Sequence, residues 1–119
     1  MVSRPEELRD RTKRFALRII RLFRALPYRA DTQVLGKQLL RCGTSAAANY
    51  RAVCRARSKA EFIARIGVVA EEADEAVLWI ELLTGSGIIK PEMTEGLLKE
   101  AKELAAIVTA SQQTAKRTA

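Results

Sequence analysis

The chain contains no histidine, two cysteines, three prolines and few aromatics: one tryptophan, two tyrosines and three phenylalanines. Each shortage removes a class of function. Without histidine, the commonest general base and the usual nucleophile triads are missing. With no Cys-x-x-Cys pair either, a zinc site lacks its ordinary ligands. No catalytic residue, metal ligand or cofactor is therefore assigned. Cys42 and Cys54 stand twelve residues apart on one predicted helix, about 18 Å at 1.5 Å per residue, beyond disulfide reach. They read as small core residues. No apolar run approaches the length that spans a bilayer, and Met1 to Thr12 is charged and periodic, unlike a secretory leader. The reading is a soluble, cytoplasmic protein with no membrane partner. The scarcity of aromatics also weighs against stacked single-strand binding.

What is abundant is apolar residue at helical spacing, 48% of the 119 residues being hydrophobic. That length fits one domain, residues 1–119. A first helix over about 5–26 follows Ser3 or Arg4, carries Glu6, Glu7 and Asp10 near its positive end and stops at Pro27. Its inward line is Leu8, Phe15, Ile19, Leu22 and Leu26. A second, over about 32–56 with Asp31 or Thr32 as N-cap, has two seams. Leu35, Leu39, Cys42, Ala46, Asn49 and Val53 form one, and Leu40, Gly43, Ala47, Tyr50 and Cys54 the other. Ser58-Lys59-Ala60-Glu61 is a capping box that opens a third helix over about 59–84. Its seam of Phe62, Ile66, Val69, Ala73, Ala76, Ile80 and Leu83 is the most regular in the chain. Gly85-Ser86-Gly87 closes it, and Pro91 opens a fourth helix over about 91–111 lined by Met93, Leu97, Leu104 and Val108. The tail from Gln112 has no apolar period and is expected to fray. Short links make neighbours antiparallel, so the fold expected is all-α, an up-down-up-down four-helix bundle.

Charge divides unevenly along the chain. Residues 1–60 hold fifteen Lys/Arg against four Asp/Glu, whereas residues 61–119 hold six against ten. Arg11, Arg14, Arg18 and Arg21 share one stripe of the first helix, and Lys37, Arg41, Arg51 and Arg55 stand off both seams of the second. These eight are the candidate nucleic-acid-binding residues, set against the simpler possibility of a solvated basic face. Gly43, Ala47, Tyr50 and Trp79 are candidate oligomer-interface residues. The small pair permits close approach, and the tryptophan lies off the core line. Ser45 is expected to bond back to its own helix and Asn49 to cap or bridge a loop. Glu71, Glu72, Asp74 and Glu75 project away from the apolar line and are read as solvated or as partners of another subunit, since di-metal bundles place their acids inward.

The run Gln38-Leu39-Leu40-Arg41, Thr44-Ser45, Asn49-Tyr50, Arg57-Ser58 and Glu61-Phe62, followed by an acidic helix, resembles a family of small four-helix bundles. The family is named for members encoded within intervening sequences of 23S ribosomal RNA genes, and was once labelled ribosomal protein S23. Where the family usually has Glu-Gly after the Asn-x-x segment, this chain has Ala52-Val53, which predicts a longer second helix. The resemblance implies a homo-oligomer, a ring-like homopentamer, and a link to nucleic acid. A related group serves diversity-generating retroelements, so RNA or DNA and a reverse-transcriptase-like protein are the implied partners. It supplies no catalytic residues. Two functions stay open: a non-enzymatic oligomer binding RNA or DNA backbone through its arginines, or an oligomeric scaffold whose charge asymmetry serves subunit contacts.

Overall fold

The structure, a computed structural model, describes residues 3–118. The first helix, α1 (Arg4–Ala25), starts where Ser3 Oγ accepts a hydrogen bond from the Glu6 amide, 3.3 Å away. Pro5 fits its first turn, and the chain turns extended at Leu26, ahead of Pro27. The second helix, α2 (Ala30–Val53), is preceded by Arg29 with no side-chain cap. Asp31 and Thr32 lie inside its first turn instead, where Asp31 Oδ1 accepts from the Thr32 amide at 2.8 Å. The helix also stops short of the expected 56. The amides of Arg55 and Ala56 reach back three residues, to Ala52 and Val53, which tightens and ends the last turn.

Helix α3 (Lys59–Gly85) begins as its capping box predicts, with Ser58 Oγ accepting from the Glu61 amide at 3.0 Å. The Glu61 carboxylate reaches one residue further back than the usual box, accepting from the Arg57 amide at 3.2 Å. At the other end Gly87 takes φ 81°, a value that favours glycine. This lets the Ile88 and Ile89 amides reach the Leu83 carbonyl. Helix α4 (Pro91–Arg117) runs past the expected 111. Gln112 explains the extension: its amide nitrogen donates to the Ile63 carbonyl at 3.2 Å, tying the last turns of α4 to the start of α3.

Consecutive helices pack broadly against each other, α1 meets α4 over a much narrower strip, and the backbones of the diagonal pairs do not approach closely among the described residues. That is the up-down-up-down bundle, about 49 Å long and 27 by 19 Å across. All of the α3 seam is buried except Phe62, which is half-buried. In α4 the buried residue of the first turn is Thr94, while Met93 is 65% exposed. The inward face starts one position later than the apolar pattern suggested. At Gly43 α2 packs tightly against α1, since a Cβ there would overlap the Ile19 side chain.

Candidate nucleic-acid interface

The eight basic residues expected at the site meet different fates. Arg11 is part-buried between α1 and α4, with Nε 3.1 Å from Glu100 Oε2, Nη2 paired with Glu100 Oε1, and Nη2 3.2 Å from Glu103. The Glu100 hydrogen bond, outweighing the cost of burial, raises its pKa further. Arg41 likewise lies 3.2 Å from Glu72 and 3.0 Å from Glu75. Both arginines are engaged by carboxylates of their own chain and are not free for a phosphate. The acids Glu72 and Glu75 are correspondingly partners of Arg41 rather than of another subunit. Arg14 pairs with Asp10 at 3.3 Å, both largely exposed, a contact worth little. Arg18, Arg21 and Lys37 are exposed, with no salt bridge among the described residues.

Arg51 and Arg55 do come together, with two arginines the sequence did not single out. A concavity of about 610 Å³ at the junction of α2 and α3 is lined by Arg51, Arg55, Arg57 and Arg65, floored by Ala48 and Ala52, and holds one acid, Glu61. Arg65 pairs with Glu61 at 3.3 Å, which leaves three arginines without an ion pair among the described residues. The positive end of α3 opens beside them, adding to the field. A second concavity of about 550 Å³ adjoins through Ala48 and Arg51 and brings Arg9 and Lys13 of α1 to the same surface, with Glu6 and Asp10. Neither surface is lined by an aromatic ring. Such a surface offers charge to phosphates and a small apolar floor to sugars, without a platform for bases. Arg57, in the interhelix turn, and Arg65, on the next helix, escape any reading of α1 and α2 as separate stripes.

The expected interface residues separate in the same way. Gly43 and Tyr50 lie in the subunit's own core, so neither is a surface another copy can meet. Burial first, and then Cys54, push the Tyr50 hydroxyl up to about 12. Ala47 is half-buried and lies along the second concavity. Trp79 packs partly on the core, and its indole N–H is enclosed without an acceptor. Ser45 and Asn49 satisfy each other within α2, the Asn49 amide donating to the Ser45 carbonyl at 2.9 Å and to its hydroxyl at 3.1 Å.

Cys42, Glu72 and Glu75 bring ligand-type atoms within 4.8 Å of one another. The cation there is Arg41, whose guanidinium contacts all three. The thiol donates to Glu75 at 3.2 Å. Burial, and next that hydrogen bond, push it up from 9.0 to about 12. Arg41, then Cys42, holds the Glu75 carboxyl below the usual range. A raised folded pKa means that the buried neutral thiol stabilises fully below about pH 9, and that this contribution is lost as pH climbs toward 12. At pH 8 a thiol reagent is therefore expected to modify exposed Cys54 rapidly and Cys42 only after denaturation. Two rapidly reacting thiols in the native protein would contradict the described burial.

The bundle and its basic concavity define a small all-α protein with a polyanion-compatible surface. Residues 6–110 match the family model of the 23S rRNA-intervening sequence protein, and the chain belongs to that family. It is similar to a protein of unknown function from the S23 ribosomal protein family of Bacteroides thetaiotaomicron VPI-5482, solved by crystallography at 1.70 Å. The two share 31% identity and a TM-score of 0.85 over 93% of this chain and 99% of that one. No curated protein matches the chain.

Proposed function

We propose that this protein is a non-enzymatic oligomer that binds the backbone of RNA or DNA at the junction of α2 and α3. One observation carries the reading: Arg51, Arg55 and Arg57 stand around one concavity without carboxylate partners among the described residues, beside Arg65. Phosphates displace counterions there, and the rigid helices hold the guanidinium groups ready. The absence of rings from the lining makes recognition insensitive to sequence.

The test is fluorescence anisotropy of labelled RNA and duplex DNA oligonucleotides titrated with the protein across a salt series, with light scattering to count subunits. Three unpaired arginines per subunit correspond to a slope of log K on log salt of about −2 to −3. Binding that is absent at 50 mM salt while the protein is a clean oligomer overturns the nucleic-acid reading in favour of the scaffold. The observation favouring a scaffold is the exposed α1 row of Arg14, Arg18 and Arg21, which lines neither basic concavity.

A further inference from the structure

Helix α3 is apolar on more of its circumference than the subunit core can cover. Along its outer side Val68, Glu71, Glu75, Leu78 and Leu82 recur at spacings of three and four, a line about 21 Å long at 1.5 Å per residue. Val68, Leu78 and Leu82 are 37%, 47% and 41% exposed. No other described element exposes as many large apolar side chains. A helix that is apolar nearly all round belongs in an interior, and here the second covering is missing within the chain. Glu71 on the line and Asp74 and Glu81 along its edge have no salt bridge among the described residues.

The diagonal helix carries the complement. On the outer side of α1, Asp10, Arg14, Leu17, Arg21 and Arg24 follow the same alternation, with Leu17 39% exposed among arginines. Helices α1 and α3 stand diagonally across the bundle with no close backbone approach among the described residues, so no subunit can join its own two outer faces.

Building on the oligomeric reading above, we infer that the outer face of α3 docks the arginine-bearing outer face of α1 from a second copy. Leu17 covers part of the Val68–Leu78–Leu82 line, and Arg14, Arg21 and Arg24 meet Glu71, Asp74 and Glu81. Each copy gives one face and receives the other, so the contact is heterologous and propagates until it closes. It also assigns the two basic surfaces of the chain to different tasks. The α1 row faces a neighbour, while Arg51, Arg55 and Arg57 stay open to a polyanion.

Charge exchange on the full-length protein tests the contact, read by light scattering at low salt with circular dichroism as the folding control. Arg14→Glu, Arg21→Glu and Arg24→Glu together are expected to reduce the assembly to single subunits. So are Glu71→Lys, Asp74→Lys and Glu81→Lys together. Combining all six in one chain is expected to restore the wild-type subunit number, because the reversed faces again match. A wild-type oligomer that either triple variant leaves unchanged, or that the six-fold variant fails to restore, overturns this contact alone. A wild-type monomer overturns the oligomeric reading with it. Anisotropy reports on the nucleic-acid reading independently, since Arg51→Glu and Arg55→Glu leave both docking faces intact and are expected to leave the subunit number unchanged.

Discussion

Reversing Arg51, Arg55 and Arg57 to glutamate is expected to weaken binding to an RNA or DNA oligonucleotide by on the order of 100-fold or more at low salt. The slope of log K on log salt should become shallower by about 3, because each phosphate contact removed returns about one counterion. The three side chains are exposed and have no ion pair among the described residues. Their removal breaks no salt bridge among the described residues, and the melting temperature should hold within a few degrees. The same exchange at Arg11 has another outcome. That guanidinium is held by Glu100 and Glu103, so the change strikes the α1–α4 strip and registers as lost stability rather than lost affinity. Equal loss of binding from Arg11→Glu and from the triple variant, with both proteins fully folded, would place the phosphates elsewhere.

The second large effect concerns Gly43. A Cβ at this position overlaps Ile19 of α1, whose side chain is fully buried and has nowhere to move. Gly43→Val is expected to lower stability by about 3 kcal/mol, because overpacking outweighs the small gain in helix propensity. In thermal unfolding this appears as a fall of roughly 10 °C. Gly96→Ala is the control. The nearest atom to its new methyl is Arg18 Nη2 at 3.1 Å, the far end of a flexible side chain. There the propensity gain prevails, and stability rises by up to about 1 kcal/mol. Urea unfolding of the pair decides the matter, and equal shifts of one sign would refute the close approach of α1 to α2.

Elements governed by neighbours in sequence were legible from the sequence alone. The α3 seam alternates over more than twenty residues, and Ser58 with Glu61 marks its start through bonds spanning three or four positions. The extension of α4 was hidden because its support, the Gln112 bond to Ile63, joins residues 49 apart. The same limit applies to the charges. Arg11 and Arg41 look equivalent to Arg14 and Arg51 on a helical projection. What distinguishes them is the arrival of Glu100, Glu72 and Glu75 from other helices. Arg57 and Arg65 gain importance by convergence alone. The sequence marked Gly43 for a close approach between copies, whereas the neighbour packed on it in the structure is Ile19 of the same chain, since spacing shows that something comes near and not whose it is.

The bundle is closed almost entirely by helices that follow one another along the chain, with α1 against α4 as the narrow exception. Its assembly therefore needs short loops to shut and little long-distance searching, the regime in which small helical domains reach the native state within microseconds to milliseconds. Under mechanical or thermal stress the same wiring sets the order of failure. The α1–α4 seam is the narrowest in the bundle and the first expected to part, with the fork of Arg11 spanning it, while α1 stays seated on α2, its Phe15 and Ile19 buried, until the core itself gives way.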